Sequence, residues 1–212
     1  MKVLLVNGSP HKNGSTNRAL EEVAAMLNKN GIETEIFWIG NRALSGCIAC
    51  KTCAKIGKCV FDDSVNKCRE KALEADGFIF GTPVHYAAAS GAMTAFMDRL
   101  FYSEFCGNQN KAFYLKPAAA VVVARRAGTT STYDQLNKYF GLHEMPIISS
   151  RYWNLVYGAS AEQVEKDTEG MYTMRVLGEN MAYFLRCKEA ADKLGVKLPE
   201  RGQPIFMNFI RE

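Results

Sequence analysis

Residues 2–6, KVLLV, read as a continuous apolar run stopped by Asn7-Gly8, and no other stretch limits the fold so strongly. A strand with one wet face alternates apolar and polar residues. A run without alternation is buried on both faces, as in a parallel sheet covered by helices on each side. The signature recurs in GFIFGTP at 77–83, a strand that Pro83 is expected to end, and in PAAAVVVA at 117–124. Residues 32–38, IETEIFW, alternate and make a second strand, while MPIIS at 145–149 reads as the fifth. Between them the period turns helical. Leu20, Val23, Ala24 and Leu27 share a face over 16–30, with Gly31 as the stop. Asp62-Asp63 caps a helix over 64–75, and further helices are expected over 90–105, 131–140 and 171–193. Five strands alternating with helices predict an α/β fold, a doubly wound five-stranded parallel sheet with helices on both faces. One domain is expected over 1–212, with the Pro- and Gly-broken tail PERGQPIFMNFIRE packing as an arm.

The net charge is +4, with 26 basic residues spread along the chain, where nucleic-acid binding would show a denser basic face. No apolar run approaches the roughly 20 residues that cross a bilayer. No nucleic-acid or membrane partner is therefore expected. Seven cysteines, an odd and unevenly placed set, argue against a secreted disulfide scaffold and for a reducing cytoplasm. With three histidines (His11, His85 and His143) and no nucleophile–base pair, a hydrolase has little support.

Ligands of doubly wound sheets bind beyond the carboxyl ends of the strands, so three loops carry the functional reading. The first, GSPHKNGSTN, places Ser9, Ser15 and Thr16 hydroxyls, the Asn17 amide, His11 and Lys12 at a helix N-terminus, an anion site suited to a phosphomonoester. It has neither the GK[ST] of a P-loop nor GxGxxG. The second follows Thr82: Pro83 stiffens the turn, amides of Val84, His85 and Tyr86 could meet the polar edge of a flat ring, and the alanines after Tyr86 leave it room. The third offers Arg125 and Arg126 to an anion, with Gly128 allowing close backbone approach beside Thr129.

Four of the seven cysteines stand in SGCIACKTCAKIGKC as Cys47-x2-Cys50-x2-Cys53-x5-Cys59. The short spacing is like ferredoxin-type segments and suits a 4Fe–4S cluster. Zinc, which favours two separated CxxC pairs, fits less well. A disulfide, or thiols packed with no metal, are the other readings. Cys68, Cys106 and Cys187 read as packing residues, and Asp98-Arg99 as a structural charge pair or interface element.

GSPHKNGSTN, the cysteine loop with CVFDD, ADGFIFGTPVHY and GAMTAFMDRLFY together resemble the NADPH-dependent FMN reductase family of the flavodoxin-like superfamily, over about residues 1–130. Within it the compact cysteine loop after the second strand is most similar to the iron–sulfur flavoprotein branch. The resemblance implies FMN, its phosphate on Ser9, Lys12, Ser15, Thr16 and Asn17 and its ring against Pro83, Val84, His85, Tyr86 and residues 125–129. It also implies NAD(P)H as co-substrate and electron transfer to a quinone, flavin, azo or nitro compound, or a protein. The alternative is an electron carrier served by a ferredoxin-like donor; a thiol-based redox sensor is a third reading. The aromatic residues after position 95 (Phe96, Phe101, Tyr102, Phe105, Phe113 and Tyr114) lead us to expect a homodimer or homotetramer.

Overall fold

The computed structural model describes residues 1–202, 205–207 and 209–210. Its elements in chain order are β1 (Lys2–Asn7), α1 (Ser15–Lys29), β2 (Glu33–Trp38), α2 (Cys53–Ile56), α3 (Ser64–Glu74), β3 (Gly77–His85), β4 (Ala88–Ala89), α4 (Gly91–Asn108), β5 (Ala118–Ala124), α5 (Thr129–Leu142), β6 (Leu155–Tyr157), α6 (Ala161–Val164) and α7 (Thr168–Lys193). Five parallel strands run in the order β2-β1-β3-β5-β6, the flavodoxin-like order, and β4 adds a short antiparallel sixth strand against β3.

Strand parity sorts the core into two layers. Leu4, Val6, Phe78, Phe80, Ala118 and Ala120 face the side covered by α3, α4 and α5. Val3, Leu5, Ile79, Ala119, Val121 and Val123 face the side covered by α1 and α7. Phe78 and Phe80 lie opposite Ala118 and Ala120, so the small β5 side chains leave room for rings. Phe80 packs there on Phe101 and Phe140 at 5.5 and 5.4 Å between centroids. Much of the aromatic density that suggested an interface is thus core, whereas Tyr102, Phe105, Tyr152 and Trp153 are exposed.

Three expectations change. The fifth parallel strand is β6, three residues long, and within 145–149 only Ile147 bridges, to Ala118. Pro83 does not end β3. Phe78 N donates to the Pro117 carbonyl, whereas the Gly81 carbonyl accepts from Gly8 N, so odd-numbered β3 groups face β1. The β1 pairing stops at Gly81, and the N–H that Pro83 lacks would point to that vacated side. Of the three cysteines read as packing, Cys68 is buried and Cys106 half-buried, but Cys187 is exposed on α7.

The expected C-terminal arm spans 199–212, of which 203–204, 208 and 211–212 lie outside the described residues. Its start is docked. Tyr114 Oη donates to the Pro199 carbonyl at 3.1 Å, and the Arg201 guanidinium lies 3.5 Å from the Tyr114 ring centroid and pairs with Glu144. Among the described residues no helix is long and apolar enough to cross a membrane.

Candidate functional site

A cleft of about 950 Å³ opens at the carboxyl ends of the strands. Ser9, His11, Lys12, Ser15 and Thr16 line it after β1, Pro83, Val84 and His85 at the end of β3, and Arg125 after β5. The first loop is folded by Asn7, which is wholly buried at the end of β1. Asn7 Oδ1 accepts from Ser9 N at 3.0 Å and its Nδ2 donates to the Lys12 carbonyl at 3.1 Å. The loop then delivers the backbone to the start of α1.

That helix start has no side-chain cap. Gly14, the residue before α1, offers no side chain to the free first-turn N–H groups, and the first turn carries no acidic residue. Ser15 and Thr16 therefore do not serve as the cap. Thr16 Oγ1 is buried in the cleft wall and has no hydrogen-bond partner among the described residues. A buried hydroxyl without a partner costs roughly 1–3 kcal/mol, which an oxyanion at the helix N-terminus would offset. The residues present thus fit a phosphomonoester, and Trp38, Pro83, Val84 and His85 in the same cleft fit a flat ring beside it.

Five of the expected site residues lie outside the cleft lining. Asn17 Oδ1 accepts from Asn7 and its Nδ2 donates to Glu21, so the side chain braces the loop. Tyr86 is fully exposed with φ 64° at the turn into β4, and Arg126 is exposed. Gly128, at φ 90°, is the residue before α5 and packs under Val84, while Thr129 hydroxyl shares a 3.1 Å hydrogen bond with Tyr157. Sequence reasoning missed others. Trp38, at the end of β2, lines the cleft and donates Nε1–H to the Ser9 carbonyl at 2.8 Å. Its place at a strand's carboxyl end was a usable signal. Asn41 and residues 158–162 complete the wall.

Cys47, Cys50, Cys53 and Cys59 all line a second, smaller pocket, roofed by Arg99, Tyr102 and Ser103 of α4. All seven cysteines are free thiols. The loop coils tightly, with Ala49 at φ 53° and Lys51 at φ 56°. Thr52, through its hydroxyl and its backbone, holds the Cys50 thiol below the ordinary thiol pKa, whereas burial pushes Cys53 up. Among the described residues no three His, Cys, Asp or Glu side chains stand close enough together to hold an ion as placed. Four thiols facing one pocket nonetheless make a donor set that suits a cluster, and Cys47 and Cys50 sit exposed on irregular chain. The far side is fixed: Asn108 Nδ2 donates to the Gly57 carbonyl at 2.6 Å, and Asn66 bonds both the N–H and the carbonyl of Cys59. Asp98 and Arg99 do not pair with each other; Asp98 accepts from Tyr139 Oη, and Arg99 reaches Asp63.

Residues 1–160 match the NADPH-dependent FMN reductase family. An iron–sulfur flavoprotein of Methanocaldococcus jannaschii is 31% identical over 193 residues, 88% of this chain and 98% of that protein. Among solved structures, RosB with a bound 8-demethyl-8-formylriboflavin-5′-phosphate intermediate superposes with TM-score 0.69 at 16% identity, over 99% of this chain and 92% of that one. The WrbA-like flavodoxin of Agrobacterium tumefaciens superposes with TM-score 0.62 at 18% identity, over 88% and 97%. At those identities the two structures establish the fold, and the family follows from sequence. The chain belongs to the NADPH-dependent FMN reductase family, on its iron–sulfur flavoprotein branch.

Proposed function

We propose that the protein is an FMN-dependent oxidoreductase that takes electrons from NAD(P)H and passes them to a small acceptor such as a quinone, free flavin, azo or nitro compound. The orphaned Thr16 hydroxyl, buried at an uncapped helix start inside the main cleft, carries this reading. FMN, when bound, supplies the redox chemistry through its ring. Ser9, Lys12, Ser15 and Thr16, with the first-turn amides of α1, would hold the phosphate. Pro83, Val84 and His85 would orient the ring, with Arg125 toward its anionic edge. Trp38, through Ser9, keeps the phosphate loop in place. Tyr86 and Arg126, both exposed, are free to close over a ligand from the rim.

Cys47, Cys50, Cys53 and Cys59 would hold a 4Fe–4S cluster, which would supply one-electron storage. The gathering of four free thiols on one pocket favours a second reading, an electron carrier between a ferredoxin-like donor and an acceptor. Free thiols throughout fit a reducing cytoplasm, and exposed Tyr102, Phe105 and Leu142 beside the thiol loop fit assembly as a homodimer or homotetramer. Anaerobic assay of the FMN-loaded protein separates the readings. The first predicts oxidation of NADPH or NADH that depends on added quinone or nitro compound. Failure of both nicotinamides, with reduction by a reduced ferredoxin, would replace it with the second.

A further inference from the structure

Arg99 is a guanidinium 2% exposed in the protein interior, on the core side of α4. Burying such a cation costs several kcal/mol unless every donor is answered, and here every donor is. Nη1 and Nη2 grip the two Asp63 carboxylate oxygens at 2.8 and 3.0 Å. Nη1 also reaches the Ser45 carbonyl at 3.3 Å and Nη2 the Phe61 carbonyl at 3.4 Å. Nε points at Cys59 Sγ, 3.3 Å away, and the Phe61 ring lies under the guanidinium at 4.9 Å. All of these partners come from residues 45–63, the segment that carries the four thiols. Lysine, without a planar fork, could not meet these partners together.

We infer that Arg99 is the positioning residue for the Cys59 sulfur and would set the reduction potential of a cluster bound there. The inference rests on the iron–sulfur reading above. Asn66 fixes the Cys59 backbone and Arg99 fixes its sulfur, so one ligand is in place before the exposed Cys47 and Cys50 close. Reduction of a cluster held there would add one electron and make no bond, leaving one more negative charge on it and its sulfurs. A fixed cation donating an N–H to a ligand sulfur stabilises that charge in a dry setting and raises the potential. Asp63, the anion behind the guanidinium, acts in the opposite sense. It also accepts from Val65 N at 3.0 Å as the cap of α3, a task that asparagine performs as well.

The test compares wild type, Arg99→Gln and Asp63→Asn, each reconstituted anaerobically with iron and sulfide. Iron per chain is measured, and the cluster is titrated potentiometrically with detection by electron paramagnetic resonance. R99Q should disfavour reduction at least tenfold, 59 mV for a one-electron couple. D63N should favour it, a shift of opposite sign. A role confined to holding the fold would move both variants the same way, since both break the same ion pair. An R99Q potential within 59 mV of wild type, or shifts of one sign in the two variants, overturns the inference while leaving the cluster reading intact. If R99Q takes up no cluster, D63N decides: a raised potential supports the inference, and an unchanged or lowered one overturns it. Wild type that takes up no iron contradicts the cluster reading itself, and the inference with it.

Discussion

Gly107 of α4 lies directly beneath the Cys53 carbonyl, so that a Cβ at position 107 would press far inside van der Waals contact with that oxygen and within 2.9 Å of Gly57 Cα. In an open helix Gly→Ala gains roughly 1 kcal/mol, whereas overpacking against backbone costs about 1–3 kcal/mol. Gly107→Ala should therefore push α2 off α4, lowering the melting temperature and reducing iron bound per chain on reconstitution. Gly141 in α5 is the contrast, with nothing within 4 Å of an added Cβ. Gly141→Ala should raise the melting temperature by about 1–4 °C, as roughly 0.5–1 kcal/mol does in a domain of this size. Differential scanning calorimetry of both variants reads the pair.

Thr16→Val removes the buried hydroxyl that has no partner and replaces it with a shape of similar size. The apo-protein should keep or slightly gain stability, because an unsatisfied polar group leaves the interior. FMN affinity should fall about 10- to 100-fold, the worth of one hydrogen bond to a charged acceptor. Riboflavin, which lacks the phosphate, should bind wild type and variant alike. Flavin fluorescence titration with both ligands measures this, and equal losses for the two would move Thr16 from the phosphate to the ring.

His143 sets an acid limit on stability. It is buried among Phe101, Phe105 and Phe113, and Asn110 accepts its Nδ1–H at 2.7 Å, since the Asn110 amide nitrogen is spent on the His143 carbonyl. Burial, then the nearby Arg201 charge, lowers its pKa from 6.5 to about 4. The folded value lies below the unfolded one, so the unfolded chain takes the proton first. Stability is complete above about pH 6.5 and drains as pH falls toward 4, by a loss on the order of 3 kcal/mol. Urea midpoints measured from pH 7 to pH 4 should show this slope, and His143→Gln should flatten it.

Long buried strands were legible because their residues speak for themselves: VLLV, GFIF and AAAVVVA are apolar at successive positions and lie in the three central strands. The edge was not. Leu155–Tyr157 is too short for any period to register, and MPIIS is apolar because Met145 and Ile148 pack against core, not because it is a strand. In the site, Ser9, Lys12, Ser15 and Thr16 were readable from one loop at one helix start. Residues 158–162 were not, since they reach the cleft only through the tertiary path of a three-residue strand and a one-turn helix. Arg99 looked like half of an ordinary charge pair, and only the fold reveals that it turns away from Asp98 toward the thiol loop.

FMN is expected in the cleft over α1. Protein purified without oxygen, denatured, and chromatographed against FMN, FAD and riboflavin standards tests it most directly. FMN should be released at close to one per chain, or be taken up to that level when supplied to the apo-protein, and Thr16→Val should weaken its retention. Protein that neither carries nor takes up FMN would show that this cleft is not a flavin site.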